Sequence, residues 1–154
     1  MSTAPTLARS YEALRPRVLE RVLELRATLD PSLGRLDDAS ARAQIGAVLD
    51  HLGTFLATGD LALHRGFLHT FLAMRAAEAQ SPASVLAMLI AIGDTAAQVA
   101  QDEAGTGDGA ELTRLLTRVT ASTARAMNDL IADELGRRTA QRTELAGRVR
   151  GDGP

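Results

Sequence analysis

The amino-acid sequence predicts an all-α fold of about five helices in a single domain, with a long C-terminal helix and no sheet. Apolar residues recur at spacings of three and four along most of the chain, which is the period of one helix face. Runs of β-branched residues in strict alternation, the pattern typical of strands, do not occur. The 154 residues are enough for one domain with its own core.

Start and stop signals divide the chain into these helices. The first lies in the segment SYEALRPRVLERVLELRATLDP and ends at Pro31. We expect it to start just before Pro16, because proline is tolerated in a first helical turn. The second begins after Asp37 or Asp38, either of which suits an N-cap, and it ends at Gly59.

The third and fourth helices are marked in the same way. Asp60 is the expected N-cap of the third, which covers about residues 61 to 79. Ser81 caps the fourth, and Pro82 takes its first position. The stretch VLAMLIAIGDTAAQVA has no basic residue and is apolar over more than half of its circumference, so we expect this helix to be the central one.

The fifth helix is predicted from about Ala110, after a loop GTGDGAEL in which Asp108 is the capping residue. Its apolar stripe thins after Leu135, and arginines occupy positions where the stripe would continue. We therefore divide the chain into a helical domain over 1–135 and a helical extension with a flexible tail over 136–154. The extension either frays or pairs with another chain.

Composition limits the class of function. A formal net charge of −2 gives no electrostatic basis for binding nucleic acid or an anionic membrane. The absence of cysteine excludes disulfides, thiolate metal sites and cysteine nucleophiles. The N-terminus has no hydrophobic signal core, and we expect no apolar run of membrane length, which predicts a cytoplasmic protein.

Three polar residues lie on the apolar face of the third helix. His64, Arg75 and Glu78 share that face with Phe67 and Phe71, because steps of three and four bring residues to one side of a helix. The apolar residues assigned to the face are Leu61, Leu63, Phe67, Leu68, Phe71, Leu72 and Met74. This helix therefore holds the candidate binding residues.

His64 has two interpretations. In the first it is an imidazole at the edge of the core, bonded to a carbonyl or to Asp60. In the second it binds a haem or another small molecule. Few aromatic residues are available to line a haem pocket, so we expect no haem. A metal site shared with His69 is not expected, because five residues place the two side chains about 140° apart around the helix and His69 faces solvent.

Arg75 also has two interpretations. In the first it lies at the helix end, extends to solvent and favours the C-terminal dipole, with Glu78 as its partner. In the second it is a fixed guanidinium that holds an inter-helix carbonyl, a carboxylate ligand or a partner subunit. A buried arginine must be paired, because leaving its charge desolvated costs several kcal/mol.

No catalytic set can be assembled from the spacing. The chain offers no Ser-His-acid set, no paired carboxylates in apolar surroundings and no glycine-rich phosphate loop that follows a strand. Thr120 and Thr123 interrupt the apolar face of the last helix, where threonine more often bonds to its own helix. We expect neither a bound metal nor an enzyme.

The stretch GDLALHRGFLHTFLAMRAAEAQSPASVLAMLIAIGD resembles the N-terminal helical sensor domain of RsbR/RsbRD-type regulators, the stressosome co-antagonist proteins. The resemblance rests on a Gly-Asp pair that opens a helix, on Phe67, Phe71 and Arg75, and on a turn with Pro82 before the apolar helix SVLAMLIAI. It extends loosely over about 11–135. The turn AEAQSP departs from the family, which often has glycine there.

The resemblance implies a bacterial, non-catalytic sensor domain, globin-like or bundle-like in fold and without haem, that forms a homodimer through its helices. It implies a STAS-domain protein or a kinase as signalling partner. Such domains usually precede an output module, and none follows the last helix here, so we expect a separated sensor module or one that acts by pairing. The leading hypothesis is a signalling module that works through its last helix; the alternative is a small-molecule or haem-binding carrier that uses the His64 face.

Overall fold

The structure, a computed structural model, describes residues 3–103 and 107–151. Within those ranges it is all-α and contains no strand. The helices are α1 Ala4–Leu29, α2 Pro31–Gly34, α3 Asp38–Thr58, α4 Leu61–Ala77, α5 Pro82–Glu103 and α6 Gly107–Gly151. The predicted all-α class with a long C-terminal helix is confirmed, and α2 is a short helix that the sequence pattern does not predict.

Capping residues set the bounds of α3 and α4 as predicted. Asp37 is the N-cap of α3, and its Oδ1 accepts a hydrogen bond of 2.9 Å from Ser40 N. Gly59 ends α3 in the left-handed conformation, with φ of 64°, which glycine adopts without a Cβ clash. Asp60 then caps α4, where its Oδ1 accepts a bond of 2.8 Å from Ala62 N.

Two helices begin earlier than predicted, and α1 shows the larger difference. It starts at Ala4, so the prediction that it starts just before Pro16 is wrong. The additional turns are held by Leu7 and Tyr11, which are buried, and Tyr11 Oη donates a bond of 2.6 Å to the Leu49 carbonyl of α3. Pro16 lies on the exposed side of the helix. Proline has no backbone N–H, so the carbonyl one turn earlier has no helical donor, and water can bond to it there.

The start of α6 also differs from the prediction. The helix begins at Gly107 and not at about Ala110, so Asp108 lies in its first turn and not before it. Leu112, which is fully buried, holds this end of the helix against the core. Residues 104–106 of the loop region lie outside the described residues.

The short helix α2 depends on Asp30, which is 4% exposed. Its Oδ1 accepts bonds from Ser32 N at 2.8 Å and Leu33 N at 3.2 Å, which satisfies the first donors of α2. Ser84 of α5 donates its hydroxyl to Asp30 Oδ2 at 3.2 Å. One carboxylate therefore starts α2 and holds the first turn of α5, while α1 ends at Leu29, just before the predicted stop at Pro31.

The helix α5 is the central one, as predicted. It packs most extensively against α6 and also packs against α1, which in turn packs against α3. Val85, Met88 and Ile92 are fully buried, whereas Leu86 and Ile90 are partly buried. The core therefore lies along α5, between α1 and α6.

The composition of α5 contradicts one expectation from the sequence. The helix Pro82–Glu103 is long and apolar enough, by length and composition, to cross a membrane, although we expected no such run. Half of its most apolar window is buried inside the protein. A core helix passes the same test, so the position of α5 among its neighbours is a sufficient reason for its apolar composition.

The apolar face of α4 is narrower than predicted. Leu68 and Phe71 are buried, but Leu61, Leu63 and Met74 are 57%, 54% and 53% exposed. Because α4 meets α3, α5 and α6 over smaller contacts than α5 makes with α6, only its central stripe is covered. The broad apolar face predicted from the sequence is therefore larger than the part of α4 that its neighbours cover.

The C-terminal part of α6 leaves the core. All residues from 135 to 149 are exposed, and the helix continues to Gly151. The described part of the predicted extension is thus helical, and residues 152–154 lie outside the described residues. At 1.5 Å per residue, the exposed segment extends about 20 Å beyond the core.

Gly93 is expected to be intolerant of a side chain. A Cβ added there would overlap Thr120 Oγ1 and lie 3.1 Å from Thr120 Cβ. Because Thr120 is buried, Gly93→Ala should lower the free energy of unfolding by about 1–3 kcal/mol, seen as a lower urea midpoint. The control is Gly66→Ala on α4, where nothing lies within 4 Å of an added Cβ. It should stabilise by about 0.5–1 kcal/mol, and equal stability of the two variants would contradict the close packing.

A glycine in the turn between α4 and α5, where the sequence has none, is expected to stabilise the protein. Ala79 has φ of 59°, and Gln80 N–H closes the turn by donating to the Arg75 carbonyl at 3.0 Å. Ala79→Gly should therefore raise the free energy of unfolding by about 1 kcal/mol in urea titrations. Ala76→Gly, one turn earlier in regular helix, should lower it by about the same amount. A loss of stability in Ala79→Gly would show that the turn is not strained.

Candidate functional site

His64 is buried where α3, α4 and α6 meet, with 2% of its surface exposed. Its Nδ1 lies 2.7 Å from His51 Nε2 of α3, and its Nε2 lies 3.1 Å from Thr123 Oγ1 of α6. The first interpretation expects the ring to bond to a carbonyl or to Asp60. The ring instead bonds to these two side chains, so that part of the interpretation is wrong. His64 thus joins three helices through side-chain hydrogen bonds.

Aromatic rings surround the histidine pair. The ring of His51 stacks on Phe67, with 3.9 Å between centroids and 7° between planes. The ring of Phe55 lies 4.7 Å from His64, and Phe67 stacks in turn on Phe71 at 5.4 Å. Both phenylalanines of the predicted site therefore lie in one row of rings that begins at the histidines.

The hydrogen of His64 is assigned from the hydrogen-bonding capacity of Thr123. Thr120 donates its hydroxyl to the Leu116 carbonyl one turn earlier, as expected for a helical threonine. Within the described chain, the Thr123 hydroxyl instead has His64 Nε2 as its partner. A buried hydroxyl that donates there leaves the hydrogen of His64 on Nδ1, from which we assign donation to His51 Nε2. The three groups form a directed chain from α6 through α4 to α3.

Burial keeps both histidines neutral. The pKa of His51 falls from 6.5 to about 4, first because burial disfavours the imidazolium and second because a charge on His64 would lie close by. Burial also lowers the pKa of His64. These two hydrogen bonds require both imidazoles to be neutral. A proton on His51 Nε2 would place two hydrogens between nitrogens that are 2.7 Å apart.

The space beside His64 is small. A cavity of about 10 Å³ lies there, bordered by Leu89 and Gly93 among others. That volume is roughly what a single water molecule needs. A haem iron at His64 would replace one of its two hydrogen bonds and would need a far larger cavity. The exposed His69 lies elsewhere on α4, and no group of three metal-binding side chains occurs among the described residues.

Arg75 is buried at the other end of α4, with 6% of its surface exposed. Its Nη1 lies 3.0 Å from Glu78 Oε2, which confirms the predicted ion pair. Its guanidinium carbon lies 5.3 Å from the centroid of the Phe71 ring, a distance at which the ring face stabilises a cation. The first interpretation, in which Arg75 extends to solvent, is therefore wrong on this point. Glu78 is half-exposed, so the ion pair itself contributes at most about 1 kcal/mol.

The predicted site residues fall into two groups on one helix. His64 and Arg75 are eleven residues apart, about 16 Å along α4, so they do not form one site. Phe67 and Phe71 lie between them and contact both groups. His64 and Arg75 lie on one buried face as predicted, but the prediction is wrong for Glu78, which is the exposed C-cap beyond the end of α4.

Sequence reasoning does not identify His51 and Thr123 as the partners of His64. The available signal for His51 is its position on α3, three residues after Val48 and four before Phe55, which puts it on an apolar face. The pairing itself depends on how α3, α4 and α6 pack, which no local spacing specifies. Thr123 was expected to bond to its own helix, and its bond to His64 shows that expectation to be wrong.

Comparisons of the chain with protein-family models, with curated proteins and with solved structures give no match.

The histidine pair is expected to make stability depend on pH. A histidine whose pKa is lowered by folding takes up its proton first in the unfolded chain, so its stabilisation is complete above about pH 6.5 and decreases towards about pH 4. His51 is half-buried, so solvent screening reduces the effect. Urea titrations should show that the wild type loses about 1 kcal/mol more between pH 7 and pH 5 than His51→Gln.

The matched control is His69→Gln, which replaces an exposed histidine. It should retain the pH dependence of the wild type. If His51→Gln also retains it in full, the pair does not titrate as described.

Proposed function

We propose that this chain is a non-catalytic bacterial signalling or protein-interaction module, which dimerises through its helices and passes a conformational bias through α6. The observation that carries the proposal is the exposed end of α6. All residues from 135 to 149 are exposed, and the large apolar Leu135, Leu145 and Val149 are 59%, 60% and 78% exposed. Large apolar side chains on an uncovered helix are typical of a surface that another helix covers.

The spacing of this segment supports helix pairing. Steps of three and four residues connect positions 135, 138, 142, 145 and 149, the pattern of a coiled-coil seam. Arg138 and Arg142 occupy two of these positions, so the seam is weaker than a continuous leucine seam. Salt bridges on the flanks, such as Arg148 with Glu144 at 2.6 Å, stabilise the helix itself.

Helix length gives a second reason for a partner. Isolated helices of fewer than about 12–15 residues are marginal in water, and most helical stability in proteins comes from packing. The exposed segment has no packing of its own within the described structure and depends on its continuity with the buried part of α6. A second copy of the segment would supply the missing contacts.

A groove at the base of the extension continues the apolar surface. It has a volume of about 200 Å³ and lies where α6 leaves the core, between α4 and α6. Leu72 and Ala73 border it on one side, and Leu130, Ile131 and Leu135 border it on the other. Glu134, Arg137 and Arg138 also line the groove, and Leu135 belongs both to the groove and to the seam, so a partner helix on the seam can reach the groove.

The same helix contacts the candidate site. Thr123 holds His64, and the exposed seam begins twelve residues further along α6. A helix transmits a shift or a rotation along its axis because its backbone hydrogen bonds hold it as one body. A change at the histidines would therefore move the dimer surface, which supports a role in signalling.

The class of partner comes from the sequence resemblance alone. It points to a cytoplasmic, stressosome-like system in which a STAS-domain protein or a kinase receives the signal. The alternative of a small-molecule or haem carrier at the His64 face has less support, because both ring nitrogens of His64 are engaged by protein side chains.

Replacement of the seam should abolish the dimer without affecting the fold. The double variant Leu145→Glu, Val149→Glu places like charges on the seam, so sedimentation velocity at about 50 μM should shift from a dimer to the 16.3 kDa monomer. The thermal midpoint measured on dilute protein should stay unchanged, because these residues contact nothing in the core.

The control is Ala140→Glu, an exposed position of the same segment that points away from the seam. This variant should remain dimeric. A wild type that sediments as a monomer at about 50 μM would overturn the proposal.

A further inference from the structure

A second cavity lies between α3 and α4, beside Arg75. Its volume is about 270 Å³, and it shares only Phe67 with the small cavity at His64. Pockets that hold drug-sized molecules have roughly 300–1,000 Å³, so this cavity suits a smaller ligand. The lining residues are Ala43, Gln44, Ala47, Phe67, Thr70, Phe71, Met74 and Arg75.

Two polar groups in this lining lack partners. Gln44 Oε1 and Arg75 Nε are buried, and neither has a hydrogen-bond partner among the described residues. Gln44 is 9% exposed and Arg75 is 6% exposed. A buried polar group without a partner costs free energy, so a molecule that bonds to both atoms would recover part of that cost.

The ion pair of Arg75 determines which edge of the guanidinium is free. Glu78 takes Nη1, whereas Nε lies on the opposite edge of the planar group. That edge can donate two parallel hydrogen bonds to one carboxylate. Phe71 stacks against the guanidinium and limits its movement, so the donor is held in place before a ligand arrives.

Gln44 requires a different group. Its Oε1 accepts hydrogen bonds and would repel a bare carboxylate, so it needs an N–H or O–H donor. The rest of the lining is mainly apolar, with two phenylalanines, two alanines and Met74. Met74 is half-exposed, and its flexible side chain can adapt to the apolar part of a ligand.

We propose that this cavity binds a small apolar acid that carries an N–H or O–H donor beside its carboxylate, an apolar amino acid or 2-hydroxy acid. The carboxylate accepts hydrogen bonds from the Nε edge of Arg75. The neighbouring donor bonds to Gln44 Oε1, and the apolar side chain packs on Phe67, Phe71 and Met74. Binding is independent of dimerisation, and only its role as the sensed signal rests on the proposed function.

Isothermal titration of the full chain tests this inference with named probes. L-Phenylalanine, L-leucine and 3-phenyllactate carry both groups, 3-phenylpropanoate lacks the donor, and 2-phenylethanol lacks the acid. At least one of the first three should bind. For L-phenylalanine and 3-phenyllactate, the phenyl compounds without the donor or the acid should bind about tenfold or more weakly, as expected for one lost hydrogen bond to a charged or buried group. If none of the first three binds at millimolar concentration, the inference is wrong.

Two exposed alanines of α3 provide a matched pair of variants. Ala47→Phe fills the cavity from its rim and should weaken binding about tenfold or more, while Ala57→Phe lies outside the cavity and should bind as the wild type does. Neither change enters the core, so both variants should fold. Equal binding by the two variants would place the ligand elsewhere.

Variants of the polar groups separate recognition from general packing. Gln44→Leu should bind 3-phenyllactate and 3-phenylpropanoate equally, because it removes the acceptor that distinguishes them. Arg75→Lys should weaken both, since lysine has no second parallel donor. A Gln44→Leu variant that still prefers 3-phenyllactate would overturn the assignment.

The monomeric variant Leu145→Glu, Val149→Glu should bind the probes as the wild type does. Loss of binding in the monomer alone would mean that the ligand site is completed by a second copy, which contradicts binding in this cavity alone. A wild type that is monomeric yet binds would leave this inference intact and remove the proposed function.

Discussion

The architecture depends on the contact of α6 with its neighbours over one turn, Thr120–Thr123. At Thr120 the helices α5 and α6 are so close that only glycine fits opposite, at Gly93. Three residues later, Thr123 reaches His64 of α4. A steric contact and a directional hydrogen bond within one turn fix both the separation and the rotation of α6. The positions of α4 and of the exposed end of α6 follow from that arrangement.

The buried histidine pair restricts how α3, α4 and α6 can pack. Two imidazoles in a core cost free energy unless they are neutral and hydrogen-bonded, and here the Thr123–His64–His51 chain satisfies the facing nitrogens. A shift of α4 by one residue would leave polar atoms buried without partners, whereas an apolar contact in the same place would tolerate several registers. The narrow buried stripe of α4 can therefore have a single register even though much of the helix is exposed.

Local chemistry explains which parts of the structure the sequence predicts. The helix class, the caps at Asp37 and Asp60 and the stop at Gly59 follow from side chains within a few residues, and the sequence predicts them correctly. The early start of α1 depends on the bond from Tyr11 to Leu49, 38 residues away, which periodicity does not reveal. The histidine pair is likewise a contact between helices: the wheel of α4 places His64 on the buried face but cannot show what lies opposite. Arg75 is intermediate, since its ion pair to Glu78 is local but its burial is a property of the packing.

The two groups of polar residues on α4 are connected through side chains in contact. The guanidinium of Arg75 lies 5.3 Å from the ring of Phe71, which lies 5.4 Å from Phe67, which stacks at 3.9 Å on His51. His51 then bonds to His64 and through it to Thr123 of α6. Contact alone does not carry a signal; coupling requires an element with two discrete arrangements. The hydrogen bond between two neutral imidazoles can be donated in either direction, and only donation by His64 leaves the Thr123 hydroxyl with an acceptor. If the bond were donated by His51 instead, the hydrogen of His64 would lie on Nε2, and the Thr123 hydroxyl would accept a hydrogen bond rather than donate one.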